Sequence, residues 1–149
     1  CASLTEKIKN TFNKIDIVLS PALGGIVVGY EIGKQLNTQT IFAERANDKL
    51  VLRRGFTIPQ DFNVLIVEDV ITTGKSAIEC SEIVKINKAN LVGFACVIDR
   101  SDNNILIKEK IVSQIKIKIA IFKENELPDE LKKTPAVKPG SRNLSNDQN

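Results

Sequence analysis

Apolar and polar positions alternate between two periods along the chain. Lys7 to Asn13, after Leu4 and Thr5, are polar with spaced apolar residues, which predicts a surface helix. Ile15 to Leu19 (IDIVL) is a short β-branched run and predicts a strand. After Ser20-Pro21 and the pair Gly24-Gly25, the mainly apolar stretch Ile26 to Leu36 repeats at helical spacing through Ile32 and Leu36. Thr40 to Ala43 reads as a second strand, and Glu44 to Arg54, with mixed charge ahead of Gly55, as an exposed excursion. Val64 to Val67 returns as a buried strand, Ser76 to Asn87 as a helix and Leu91 to Ile98 as a strand. Ile115 to Phe122 alternates with period two, which predicts a last strand with one wet face.

Strands separated by helical segments imply right-handed βαβ crossovers, hence an α/β fold with a mainly parallel central sheet flanked by helices. In such sheets the ligand crevice lies beyond the carboxyl ends of the strands. We expect a core over residues 1–125 and a C-terminal tail over 126–149, where Pro128, Pro135, Pro139, Gly140 and the closing SRNLSNDQN are turn-rich and polar.

Composition narrows the chemistry. The 149 residues are 42% hydrophobic and 26% charged, in the range of one compact domain. Net charge is +3 with the basic residues scattered, which favours small anionic ligands over a nucleic-acid footprint. Cys1, Cys80 and Cys96 lack CxxC spacing and there is no histidine, so a zinc set is not indicated and a reduced, cytoplasmic chain is the simplest expectation. Without histidine, chemistry must rest on carboxylates, lysine, hydroxyls, electrostatics or a metal. No apolar run approaches the roughly 20 residues of a membrane span, so no membrane partner is expected.

Four constellations stand at predicted strand ends. In VEDVITTGKSA, Val67 to Ala77, an apolar strand ends in Glu68 and Asp69, followed by Val70 and Ile71 and then Thr72, Thr73, Gly74, Lys75 and Ser76 opening a helix. Backbone N–H groups and hydroxyls at a helix start form a phosphate cradle. Carboxylates beside it would repel a bare polyphosphate, so they must face sugar hydroxyls or Mg²⁺, and a phosphorylated ribose satisfies both halves. A P-loop is excluded because its first glycine position holds Asp69. The bland alternative is a buried strand with a capped helix, which leaves the acidic pair unexplained. Ser20 to Gly25 is the second element: Ala22, Gly24 and Gly25 let backbone N–H groups approach an anion, or simply make a tight turn. The third, FAERANDKLVLRRGF, presents Arg45, Lys49, Arg53 and Arg54, either as anion contacts or as a solvated hairpin. The fourth, Val97-Ile98-Asp99-Arg100, puts a guanidinium suited to a planar carboxylate at the crevice rim, unless it pairs with Asp99 or Asp102.

At these residues the chain resembles the type I phosphoribosyltransferases. The ordered motifs GGI, FAER, LRRGF, VEDVITTG, VIDR and KPGSR, spanning Ile15 to Arg142, resemble in particular the orotate enzymes. The resemblance implies that Glu68 to Ser76 bind 5-phosphoribosyl 1-diphosphate, with the acidic pair on the ribose hydroxyls and Thr72 to Ser76 around the 5-phosphate. It also implies that Ala22, Gly24, Gly25 and Arg45 contact the sugar diphosphate, and that Thr72 and Arg100 contact orotate. Asp69, Lys49, Arg53 and Arg54 become the catalytic candidates, the basic loop closing over the site and reaching across a homodimer. Mg²⁺ is expected to arrive mainly through the sugar diphosphate, with no direct protein cage. Lys75 departs from the glycine often found at its position, and Lys138 and Arg142 of KPGSR read as tail surface charges.

The implied reaction is transfer of ribose 5-phosphate to orotate, giving orotidine 5-phosphate and diphosphate, a step of pyrimidine synthesis. The competing readings are a purine phosphoribosyltransferase and a non-catalytic regulator sensing the same sugar diphosphate. The chain starts at Cys1, where the resembled enzymes carry a further segment, so an N-terminally incomplete sequence is expected.

Overall fold

The computed structural model describes residues 1–102, 105–120, 122 and 124–135. Helix α1 (Ala2–Thr11) leads to strand β1 (Ile17–Pro21), helix α2 (Gly24–Leu36) and strand β2 (Gln39–Ala46). Strands β3 (Lys49–Leu52) and β4 (Asn63–Ile71), helix α3 (Lys75–Ile86), and strands β5 (Asn90–Asp99) and β6 (Ile111–Lys116) follow. The chain divides into two compact units, Cys1–Ile119 and Ala120–Asn149. Within the second, a 3-10 turn at Glu124–Glu126 precedes a short helix α4 (Asp129–Lys132), which Lys132 ties to Asp129 at 2.7 Å. KPGSR lies outside the described residues.

Among the described residues the sheet runs β3-β2-β1-β4-β5-β6. All neighbouring pairs are parallel except β2–β3. Strand order therefore reverses between β1 and β4: β1 passes outward through α2 to β2, while β4 passes the other way through α3 to β5. The crevice between two such diverging crossovers is where open α/β sheets bind ligands.

The central strands are buried on both faces, as their unbroken apolar runs require. Alternate residues supply two cores. Ile17, Leu19, Val64 and Ile66 join Cys80, Val84 and Phe94 on the α3 side. Val18, Leu65 and Val67 join Leu4, Ile8 and Ile32 on the side of α1 and α2. Helix α2 comes close to the sheet because small residues face it: a Cβ at Gly29 would stand 3.0 Å from Ser20 Cβ. No helix among the described residues is long and apolar enough to cross a membrane.

Two expectations need correction. The excursion at Glu44 to Arg54 is largely regular: β2 continues to Ala46 and returns as β3, with Ala46 opposite Lys49. The turn residues Asn47 and Asp48 both have positive φ, 47° and 62°, as a two-residue hairpin loop demands. The last strand covers Ile111–Lys116 rather than Ile115 to Phe122. Its partner β5 ends at Asp99, paired with Lys116, and after the Ile117 N–H donates to Asp99 O at 2.9 Å no ladder remains to extend. Alternation from Ile117 to Ile119 therefore continues without a neighbouring strand among the described residues.

Candidate functional site

The loops after β1 and β4 meet at the reversal point. Strand parity decides how Glu68 and Asp69 are used, because successive side chains of a strand point to opposite faces. Glu68 follows Val64 and Ile66 toward α3 and is buried, with 8% exposure. Its Oε1 has no hydrogen-bond partner among the described residues. Burial, and secondarily the neighbouring Asp69 charge, raise its carboxyl from the ordinary 4.5 to about 7. Asp69 follows Leu65 and Val67 to the other side and is exposed, its carboxylate lying against Gly24 at the start of α2. The two acids are thus one buried carboxyl whose pKa is raised and one exposed carboxyl beside the α2 start.

Val70 and Ile71 are the last residues of β4; the Ile71 side chain is buried, leaving its backbone for any ligand contact. Thr72, Thr73 and Lys75 are exposed and Ser76 is half-buried. Gly74 has φ of 78°, a conformation that favours glycine, and stands at the N-terminus of α3 with no side-chain cap. The first-turn N–H groups of α3 lack a side-chain cap and, with the exposed Thr72 and Thr73 beside them, can receive a phosphate. Lys75 N–H approaches Thr73 Oγ1 at 3.4 Å, a weak contact that an anion can displace.

The other anion loop is built similarly. Ala22 N–H donates to Ala43 O at 2.7 Å, which ties the turn to β2, and the Ala22-Leu23 peptide is cis. Gly24 and Gly25 begin α2, which also lacks a side-chain cap. A side chain at Gly24 would displace the Asp69 carboxylate: its Cβ would stand 2.8 Å from Asp69 Cγ.

Of the four cations on the β2–β3 hairpin, Arg45 is drawn across to α3, with its guanidinium 3.0 Å from Glu79. It also donates to Asp48 O. Arg54 forms a two-pronged pair with Glu44, both contacts at 3.1 Å, and Arg53 Nε stands 4.0 Å from the same carboxylate. Lys49 is exposed on β3. The hairpin therefore gathers positive charge beside the crevice, with Glu44 and Glu79 holding three of its four cations.

Arg100 is exposed just beyond β5, and its N–H donates to Ile71 O at 2.8 Å, which sets it beside Thr72. The Asp99 carboxylate does not take the Arg100 guanidinium: it accepts Ser101 N–H at 2.8 Å and pairs with Lys116 at 3.1 Å. Burial pushes Asp99 up, but Ser101 and Lys116 outweigh it and hold the carboxyl below its ordinary 3.8. Cys80 and Cys96 are buried free thiols, and burial raises both, so they stay protonated. Three features escaped sequence reasoning. Glu79 lies mid-helix with no motif, the Gly24–Asp69 contact joins distant segments, and Ile105 to Ile107 against the phosphate turn belongs to no periodic run.

Residues 1–130 match the family model described as the phosphoribosyl transferase domain. The chain is 46% identical over 145 residues to the orotate phosphoribosyltransferase of Methylorubrum populi, covering 97% of this chain and 74% of that protein. It is 40% identical over 146 residues to the protein of that name from Parvibaculum lavamentivorans, covering 97% and 75%. Among solved structures, adenine phosphoribosyltransferase from Thermoanaerobacter pseudethanolicus superposes with a TM-score of 0.66 at 15% identity, covering 78% of this chain and 80% of that one. Orotate phosphoribosyltransferase from Aeropyrum pernix gives 0.59 at 16%, covering 78% and 71%. The structural likeness extends to the fold, and the family match and the relatives extend it to lineage: the chain belongs to the phosphoribosyl transferase domain family.

Proposed function

We propose that this chain transfers ribose 5-phosphate from 5-phosphoribosyl 1-diphosphate to orotate, giving orotidine 5-phosphate and diphosphate in pyrimidine synthesis. The observation that carries the choice of base is the set of relatives at 36–46% identity over 97% of the chain, each named orotate phosphoribosyltransferase. The position of Arg100 beside Thr72 supports it, since a guanidinium and a hydroxyl suit a planar base bearing a carboxylate.

In this reading Thr72 to Ser76 hold the 5-phosphate, Ala22, Gly24 and Gly25 hold the diphosphate, and Glu68 and Asp69 accept hydrogen bonds from the ribose hydroxyls. Asp69 is the open anion near the anomeric carbon and offsets the oxocarbenium charge as the bond to diphosphate lengthens. Arg45, Lys49, Arg53 and Arg54 supply positive charge for the departing diphosphate, with Lys49, Arg53 and Arg54 as the catalytic candidates. No covalent intermediate with the protein is required. Among the described residues no group of three His, Cys, Asp or Glu could hold a metal ion. Two carboxylates, one with an unpartnered oxygen, fit Mg²⁺ that is carried by the sugar diphosphate. When bound, Mg²⁺ neutralises diphosphate charge.

A homodimer is supported by the outer face of α2, where Leu23, Val27 and Tyr30 are 82%, 75% and 62% exposed. We place the protein in the cytoplasm from its buried free cysteines and its substrates. The deciding assay measures diphosphate release with orotate, uracil, adenine, hypoxanthine or guanine. Turnover is expected with orotate; turnover with a purine and none with orotate overturns the base assignment.

A further inference from the structure

Residues 105–107, ahead of β6, lie against the phosphate turn. Ile105, Leu106 and Ile107 alternate inward, outward and inward: Ile105 is half-buried, Leu106 is 53% exposed and Ile107 is 5% exposed. Ile107 belongs to the same core as Ile71, Ala77 and Cys80, with Ile105 packed against that core. Both inward side chains close on one backbone atom. A Cβ built on Gly74 would stand 2.8 Å from Ile107 Cδ1 and Cγ1 and 3.7 Å from Ile105 Cγ1. Between them, Leu106 N–H donates to Thr73 O at 3.0 Å.

We propose that this strap, residues 105–107 with Ile107 as its positioning residue, sets the shape of the phosphate turn. The proposal rests on the function read above. The turn has no internal clamp of comparable quality: α3 has no side-chain cap, and the Thr73 hydroxyl reaches Lys75 N–H only at 3.4 Å. Gly74 in the left-handed region carries no side chain of its own to fix it. Its position is instead set from outside, by the sec-butyl side chains of Ile107 and Ile105 on one side and one hydrogen bond at Thr73. On the other side of Thr72, Arg100 N–H donates to Ile71 O. Thr72 therefore sits between two held carbonyls, of Ile71 by Arg100 and of Thr73 by Leu106. A shift of the strap moves the phosphate cradle.

Calorimetric titration of 5-phosphoribosyl 1-diphosphate with Mg²⁺ into wild type, Ile107→Ala, Ile107→Val, Leu106→Pro and Ile58→Ala tests this. Ile58 is 4% exposed in the same core and serves as the control for lost packing alone. Ile107→Ala is expected to weaken binding about tenfold or more, the scale on which a displaced supporting group loosens a site. Ile107→Val should retain most of the affinity. Leu106→Pro removes the donor to Thr73 from an exposed position, so it tests the strap even if Ile107→Ala does not fold, and it too should weaken binding. In turnover the effect should appear in KM for the sugar diphosphate, with kcat largely kept. Unchanged binding in Ile107→Ala or in Leu106→Pro overturns the strap, as does an equal loss in Ile58→Ala. A wild-type chain that does not bind the sugar diphosphate overturns the function reading itself.

Discussion

Gly24 and Asp69 face each other across the two middle strands, and the Asp69 carboxylate occupies the space a side chain at position 24 would need. The loop after β1 and the loop after β4 are thus shaped against each other. Gly24→Val should push the carboxylate aside and weaken sugar-diphosphate binding by about tenfold or more, a misplacement effect. The melting temperature should change little, because position 24 is exposed. Calorimetry and thermal unfolding check both halves, and unchanged affinity would show that Asp69 does not need its observed position.

Glu68 makes stability depend on pH. Its carboxyl sits at about 7 in the fold against an ordinary 4.5, first because of burial and then because of Asp69. Between these values the folded chain keeps a proton that the unfolded chain has lost, so stability falls as pH rises through this window and stays low above it. Glu68→Gln lacks that penalty. It should match wild type near about pH 4, below the unfolded value, and exceed it near about pH 8, by up to roughly 3 kcal/mol. Denaturant unfolding at the two values measures the difference; an advantage equal at both would remove the buried charge as its cause.

Arg54 is held by Glu44 in a surface pair, which contributes on the order of 1 kcal/mol or less to stability. Arg54→Ala should therefore leave unfolding nearly unchanged while lowering kcat by about tenfold or more if its charge meets the departing diphosphate. Glu44→Gln frees the guanidinium and should not lower kcat by more than about threefold on the same argument. Equal kcat in wild type and Arg54→Ala would move the catalytic role to Lys49 or Arg53.

Val27 stands at the middle of the exposed apolar face of α2. Val27→Glu places a charge in the proposed dimer contact and should give monomers in sedimentation velocity at micromolar concentration. Since the side chain is 75% exposed, the single subunit should stay folded. A wild type that sediments as a monomer rejects the contact.

The interior of the sheet was legible because strands buried on both faces must be apolar throughout. Val64 to Val67 and Leu91 to Ile98 lie inside β4 and β5. Their ends were less legible: β4 runs on through Glu68 and Asp69 to Ile71, since backbone pairing with β5 does not require apolar side chains. The hairpin was hidden by the charges of Lys49 and Glu44 on its solvated edge. KIKIAIF misled because alternation describes a strand's faces but not the neighbour it needs. The acidic pair, the glycine loop and Arg100 could be nominated from chemistry. Their spacing in three dimensions could not, nor could the Arg45–Glu79 pair, which joins segments with no shared pattern.

The division of labour between Glu68 and Asp69 is written in a strand register rather than in either side chain. A deletion of a single residue within β4 would turn the sealed acid outward and drive the open one inward, reversing which carboxylate holds a proton near neutrality. Sequence order at these two positions is therefore not interchangeable: exchanging Glu and Asp preserves composition and net charge, but each acid would arrive at its face with a reach one methylene too long or too short.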